Sequence, residues 1–118
     1  MKFWFDETDP DQWFKKDSKF DHGIRERFLG LHEILMSRAN LLADAQTALA
    51  AVIVLDQMSR NMFRDKPRAF AADPQALWVA EAAIVRGFDA VLTKDQRMFL
   101  YLPFQHRKIA NHKAAHSH

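Results

Sequence analysis

The stretch "ALAAVIVLDQMSRNMFR", residues 48–64, decides the reading of this chain. It passes from an unbroken apolar run straight into Asp56, Gln57, Arg60, Asn61 and Arg64 without a turn residue between. An apolar run that continues at helical spacing predicts a helix, here from about residue 45 to about 63. Placed at about 100° per residue, Leu49, Val52, Ile53, Asp56, Arg60 and Phe63 share one face. Ala51, Leu55, Met58 and Met62 share the other, and Gln57, Asn61 and Arg64 sit on the flank. Asp56 and Arg60 thus continue an apolar stripe instead of opposing it, and a spacing of four lets them pair. The expectation is a helix buried all round in its first half and polar on one face in its second.

Working outward, Asp9-Pro10 and Asp73-Pro74 both read as helix starts, an acid followed by proline at the first helical position. Asp17 or Ser18 caps a second helix. Phe20, Ile24, Leu31 and Leu35 recur along it with Phe28 alongside. "SRANLLAD" (37–44) is a weak break, and "RDKPRAFAAD" (64–73) is a loop with Pro67 as breaker. Leu77, Ala80, Ile84 and Phe88 mark the fourth helix, with Gly87 at its C-terminal cap. Thr93 and Gln96 form a capping box for a fifth helix expected to end near Pro103. Period-2 patterning is confined to "KFWF" (2–5), too short to define a strand. Trp4, Phe5, Trp13 and Phe14 are expected to staple the N-terminus to the bundle, and Trp78 lies off its helix's main stripe. The class is all-α. The 118 residues suggest one domain, assigned to 1–106, with 107–118 a polar tail expected to fray or to extend the last helix.

Composition narrows the function classes. There are 17 Lys+Arg against 15 Asp+Glu, a net charge of +2, and no basic run exceeds two residues. Nucleic-acid binding normally needs clustered basic charge, so none is expected. Cysteine is absent, which excludes disulfides and thiolate chemistry. No apolar run approaches the roughly 18–20 residues of a membrane span, so no membrane partner is expected. The acidic N-terminus "MKFWFDETDP" lacks a signal peptide's apolar core, which makes the cytoplasm the expected location.

Charges on apolar stripes mark the candidate site. Arg27 lies beside Phe20, Leu31 and Ile34, and Glu81 lies between Leu77, Ile84 and Phe88. Arg27, Arg60, Asp56 and Glu81 are therefore expected to point into a common interior, where an unpaired charge is costly. One reading is a purely structural ion-pair network. The other is a polar cleft in which Arg60 and Arg64 offer forked donors to a carboxylate or phosphate. Asp56 would then orient Arg60 or act as a base. Asp21 and Arg25 are expected to form a surface pair. His32 is expected as a hydrogen-bonded boundary residue. Tyr101 and His106 could line the cleft, because "RMFLYLPFQH" bends at Pro103. His106, His112, His116 and His118 lack a carboxylate partner in sequence, so no metal and no cofactor is expected. No P-loop, GxSxG, dinucleotide fingerprint, HExxH or CxxC occurs.

"WFKKDSKFDHGIRERFLGLH", "ALAAVIVLDQMSRNMFRDKPRAFAADPQAL" and "FLYLPFQH" together resemble the bacterial family of unknown function DUF924, over roughly residues 3–106. The resemblance implies a tetratricopeptide-like antiparallel bundle of about five to six helices. The family's motif falls on Arg25, Arg27 and Phe28, then on Asp56, Gln57, Arg60, Asn61, Phe63 and Arg64. It continues through Phe70, Asp73, Arg97, Tyr101, Pro103 and His106. It brings a fold and a suspect surface, and no reaction. Two departures stand out. Arg107-Lys108 replaces the family's Ser-Glu, and members continue for several helices beyond the length seen here. The resemblance therefore implies open apolar surface around Leu100–Ile109, and with it a homodimer or larger assembly.

The functional expectation is a binding or interaction module. Its cleft is formed by Arg27, Asp56, Gln57, Arg60, Asn61, Arg64, Tyr101 and His106, and its ligand is a small anion or short acidic peptide. The alternative is a small hydrolase-like enzyme with Asp56 or His106 as acid/base and Arg60 as anion clamp. A third reading leaves the charges purely structural. A recess beside these charges separates the site readings from the structural one, and a recess that His106 faces favours the enzyme.

Overall fold

The computed structural model describes residues 1–37 and 41–116, with side chains through Met36 and from Leu41 to Arg107. A π-helical turn at Phe3–Glu7 and a 3-10 turn at Pro10–Gln12 precede α1 (Ser18–Ser37). The central rod then runs without a break from α2 (Ala45–Val52) through a π-helical segment (Ile53–Met58) into α3 (Ser59–Met62). A 3-10 turn at Pro67–Phe70 leads to α4 (Asp73–Val85), and another at Phe88–Val91 leads to α5 (Lys94–His116). No strand occurs among the described residues, so the class is all-α. No helix among them is long and apolar enough to cross a membrane.

Side-chain caps fix the starts of α1, α2 and α5. Asp17 Oδ1 accepts from the Lys19 and Phe20 amides at the head of α1. Asp44 Oδ1 accepts from Thr47 N at 2.7 Å, and this bond pulls the Asp44 carboxyl below its ordinary pKa. Thr93 and Gln96 close the expected capping box on α5. Gly87 ends α4 in the left-handed region at φ 75°, a conformation that a Cβ strains. The expected end of α5 at Pro103 does not hold, because the helix carries the proline inside it and continues to His116. Proline removes one helical hydrogen bond, yet Phe99, Leu100 and Pro103 are all buried, and this packing holds the segment helical. Leu100 is thus fully covered, while the side chain of Ile109 lies outside the described residues.

The central rod is the core. Every residue from Ala51 to Ser59 is buried, as are Asn61, Met62 and Phe63. α1 packs along the π-helical segment and α3, α4 packs along α2, and α5 touches α2, α4 and the π-helical segment. The N-terminal aromatics close one end, as the stapling reading expects. Phe99 of α5 is ringed by Trp4, Phe5, Trp13 and Phe14, with centroids 4.9–5.8 Å away. Trp13 Nε1 donates to the Trp4 carbonyl at 2.9 Å, so the staple is also pinned by a buried hydrogen bond.

The buried stripe of α1 is rotated from the expected one. Asp21, Ile24, Phe28, His32 and Leu35 face inward, while Leu31 and Ile34 are exposed. The apolar pattern misplaces the face because two of its inward residues are polar and find partners across the interface.

The glycines separate two backbone effects. Gly23 and Gly30 lie inside α1 with open space where an alanine methyl would sit, whereas Gly87 requires φ > 0. Gly23→Ala and Gly30→Ala should each stabilise by about 0.5–1 kcal/mol. Gly87→Ala should destabilise by about 1–2 kcal/mol. Urea unfolding midpoints measure all three.

Candidate functional site

The polar half of the central rod begins in the π-helical segment. Such segments shift the helical register and often coincide with functional sites. Here two backbone carbonyls are taken by side chains one turn on: Ser59 Oγ donates to Leu55 O at 2.6 Å, and Arg60 Nη1 donates to Asp56 O at 2.7 Å.

Asp56 is completely buried (0% exposed) and hydrogen-bonded on both oxygens. Gln57 Nε2 donates to Oδ2 at 2.7 Å. Oδ1 lies 2.8 Å from His106 Nδ1 and 3.4 Å from Arg60 Nη1. The continuation of α5 past Pro103 is what delivers His106 to this carboxylate. Arg60 then forks onto Asp73, with Nη1–Oδ1 and Nη2–Oδ2 both 2.9 Å, and stacks over the Phe70 ring. Asp73 heads α4, where the sequence suggested a cap. Its carboxylate turns to Arg60 instead, because a bidentate pair with a guanidinium is the stronger interaction.

A second fork lies one turn along the rod. Arg64 donates from Nε and Nη2 to the two oxygens of Asp21, at 2.6 and 3.1 Å, and Asn61 Nδ2 donates to Asp21 Oδ1 at 2.8 Å. The bond to Asp21 raises the Arg64 pKa further. Asp21 therefore does not form the expected surface pair with Arg25, whose guanidinium lies over Phe63 instead.

His32 is buried, not a boundary residue. Ser59 Oγ already donates to Leu55 O, so it accepts from His32 Nε2 at 2.6 Å, which places the proton on Nε2. Burial, reinforced by the nearby Arg68 cation, holds the His32 pKa below its ordinary value.

The expected convergence of four charges is only half realised. Asp56 and Arg60 meet. Arg27 is exposed and lies over Phe3 and Phe28, and Glu81 pairs at the surface with Arg107. Tyr101 also stays apart from the cluster, donating its hydroxyl to Asp89, a bond that raises its pKa. Asp21 and Asp73 belong to the network although the sequence reading assigned one to a surface pair and the other to a helix start. The signal that could have found Asp73 is its place in the family motif beside Arg60.

Three recesses border these charges. One of about 120 Å³ is lined by Trp13, Phe14, Gln57, Arg60, Asn61 and Arg64. A larger one, about 580 Å³, shares Arg60 and Arg64 with it and adds Asp65, Lys66, Pro67, Ala69 and Phe70. The third, about 230 Å³, is lined by Asp73, Pro74, Leu77, Pro103, His106 and Arg107. The ligand atoms of Asp56, Asp73 and His106 also lie within 4.8 Å of one another, close enough in principle to hold a metal ion. The Arg60 guanidinium already stands between the two carboxylates, so the arrangement fits an arginine better than a divalent cation.

The chain belongs to DUF924, a bacterial protein family of unknown function, which matches residues 1–118. Among curated proteins nothing matches. A solved structure of a protein of unknown function from Agrobacterium tumefaciens, ATU0120, is similar at 39% identity and a TM-score of 0.83. The match covers 87% of this chain and 60% of that one, so this chain spans less than two thirds of its relative.

Two measurements probe the network. Asp56→Asn and Arg60→Gln should each cost about 3–5 kcal/mol, because each leaves a buried charged or polar partner unmatched. The double variant should cost far less than the sum, which a denaturation cycle reads directly. For His32 the folded pKa is the lower one. Its contribution to stability is thus complete above 6.5 and is lost as pH falls below that value, where the unfolded chain takes up the proton first. His32→Gln should remove that part of the acid destabilisation in melting curves recorded from neutral pH downward.

Proposed function

We propose that the protein is a binding domain for a small anion bearing a flat or apolar group. The ligand sits in the groove from Phe14 across Arg60 and Arg64 to Phe70. The observation that carries this reading is that Gln57, Arg60, Asn61 and Arg64 line one recess together, and the same two arginines line the recess adjoining it.

Arg60 is held by the carboxylates of Asp56 and Asp73 and Arg64 by that of Asp21, and each guanidinium keeps donors over. Arg64 Nη1 and Arg60 Nε make no hydrogen bond among the described residues. Fixed guanidinium forks lose little freedom on meeting a phosphate or carboxylate. Lys66 adds a third cation to the wall, beside the Asp65 carboxylate, which lies 3.6 Å from the Lys16 ammonium. Phe14 and Phe70, 63% and 58% exposed, offer ring faces at the two ends. The Asp21 and Asp73 carboxylates oppose an anion, and their pairing with the arginines limits that opposition.

Titration of ¹⁵N-labelled protein with inorganic phosphate and with phenyl phosphate tests the reading. The Arg60 and Arg64 Nε–H signals should shift with both, and phenyl phosphate should bind about tenfold more tightly. Arg64→Gln should abolish the shifts. If neither compound moves these signals at millimolar concentration, the groove binds no anion of this kind.

A further inference from the structure

The third recess has a different chemistry. Its walls are Pro74 and Leu77 of α4 and Pro103 of α5, and Asp73, His106 and Arg107 stand at its polar side. The His106 side chain is 21% exposed, and its Nδ1 lies 2.8 Å from a carboxylate that is wholly buried. Asp56 is itself immobilised by Gln57 and Arg60. An ionised carboxylate only accepts, so in the neutral ring the proton resides on Nδ1 and Nε2 is the free base. Nε2 forms no hydrogen bond among the described residues. A buried carboxylate that fixes the tautomer of an imidazole opening on a recess is the arrangement of a general base.

No serine, threonine or cysteine lines this recess, so the base has no protein nucleophile to activate there. It can act on water or on the substrate. The apolar walls suit a short acyl chain, and Arg107, whose Nη1 donates to Glu81, has its remaining donors for the oxygen that gains charge. We infer that His106 is a catalytic general base for hydrolysis of small acyl esters in this recess, with Asp56 as its positioning residue. Nε2 takes a proton from water while the water oxygen bonds to the acyl carbon. The bond from that carbon to the leaving oxygen then breaks, and the proton passes from Nε2 to the leaving group. Ester and water become acid and alcohol. This inference does not rest on the anion groove. Arg60 lines the groove and Asp73 lines the recess, and the pair formed by the two stands between them.

Hydrolysis of p-nitrophenyl butyrate is the test, because an activated ester reports any working base in the recess. The parent should release p-nitrophenolate about a hundredfold faster than a folded His106→Gln. Asp56→Asn, assayed at a temperature where circular dichroism shows it folded, should lower kcat about tenfold or more with KM unchanged, since the tautomer is no longer fixed. Leu77→Trp leaves the dyad intact and fills the recess, so it should abolish turnover in a folded protein. Equal rates for the parent and His106→Gln overturn the inference, as does a folded Leu77→Trp that retains the parent rate. The phosphate titration uses other probes, so either reading can fail alone.

Discussion

A carboxylate with no exposure to water is the constraint on which the rest of this structure depends. Asp56 lies in the middle of the most buried helix of the chain, where an ion is tolerated only with matched partners. Its neighbours supply them from three directions. Gln57 comes from the same segment, Arg60 from the next turn, and His106 from α5. Arg60 is then anchored by Asp73, which fixes the head of α4 against the rod. One buried charge thereby ties α4 and α5 to the central helix in a single register. The second fork, Arg64 with Asp21, does the same for α1.

How much of this was legible in the sequence follows from how local each signal is. The rod was readable because its apolar run is long and its polar half keeps helical spacing. The caps at Asp17 and Thr93 and at Gly87 are set by a few adjacent residues, and the sequence shows them. The pairing of Asp56 with Arg60 follows from a spacing of four. What stayed hidden was long-range. Asp21 had a plausible local partner in Arg25, and nothing in the order of residues announces a partner 43 positions away. Asp73 had a plausible role as a cap. Arg27 and Glu81 sit on apolar stripes by helical projection, but the true inward face of α1 is rotated and Glu81 reaches the surface. Pro103 was read as a stop because local propensity opposes it there, and packing overrides the propensity.

The same network bears on function in two opposite ways. Carboxylates hold the arginines in place, so their direction is set before any ligand arrives, and the same carboxylates compete with an anionic ligand for them. A binding surface built this way favours ligands that also gain from the flanking aromatic rings. His106 is held by the same network from the other side, so the groove and the recess share a framework although their chemistries differ.

The π-helical segment at Ile53–Met58 gives the rod one residue more than a regular helix would need over the same length. Each residue of a helix turns the chain by roughly 100°. Removal of a single residue there would restore an ordinary helix and swing Arg60, Asn61 and Arg64 away from their carboxylates, with every side chain still present. The charge constellation is therefore stored in a residue count as well as in residue identity. Among relatives, a one-residue gap in this segment would mark a protein that keeps the fold and has lost this polar face.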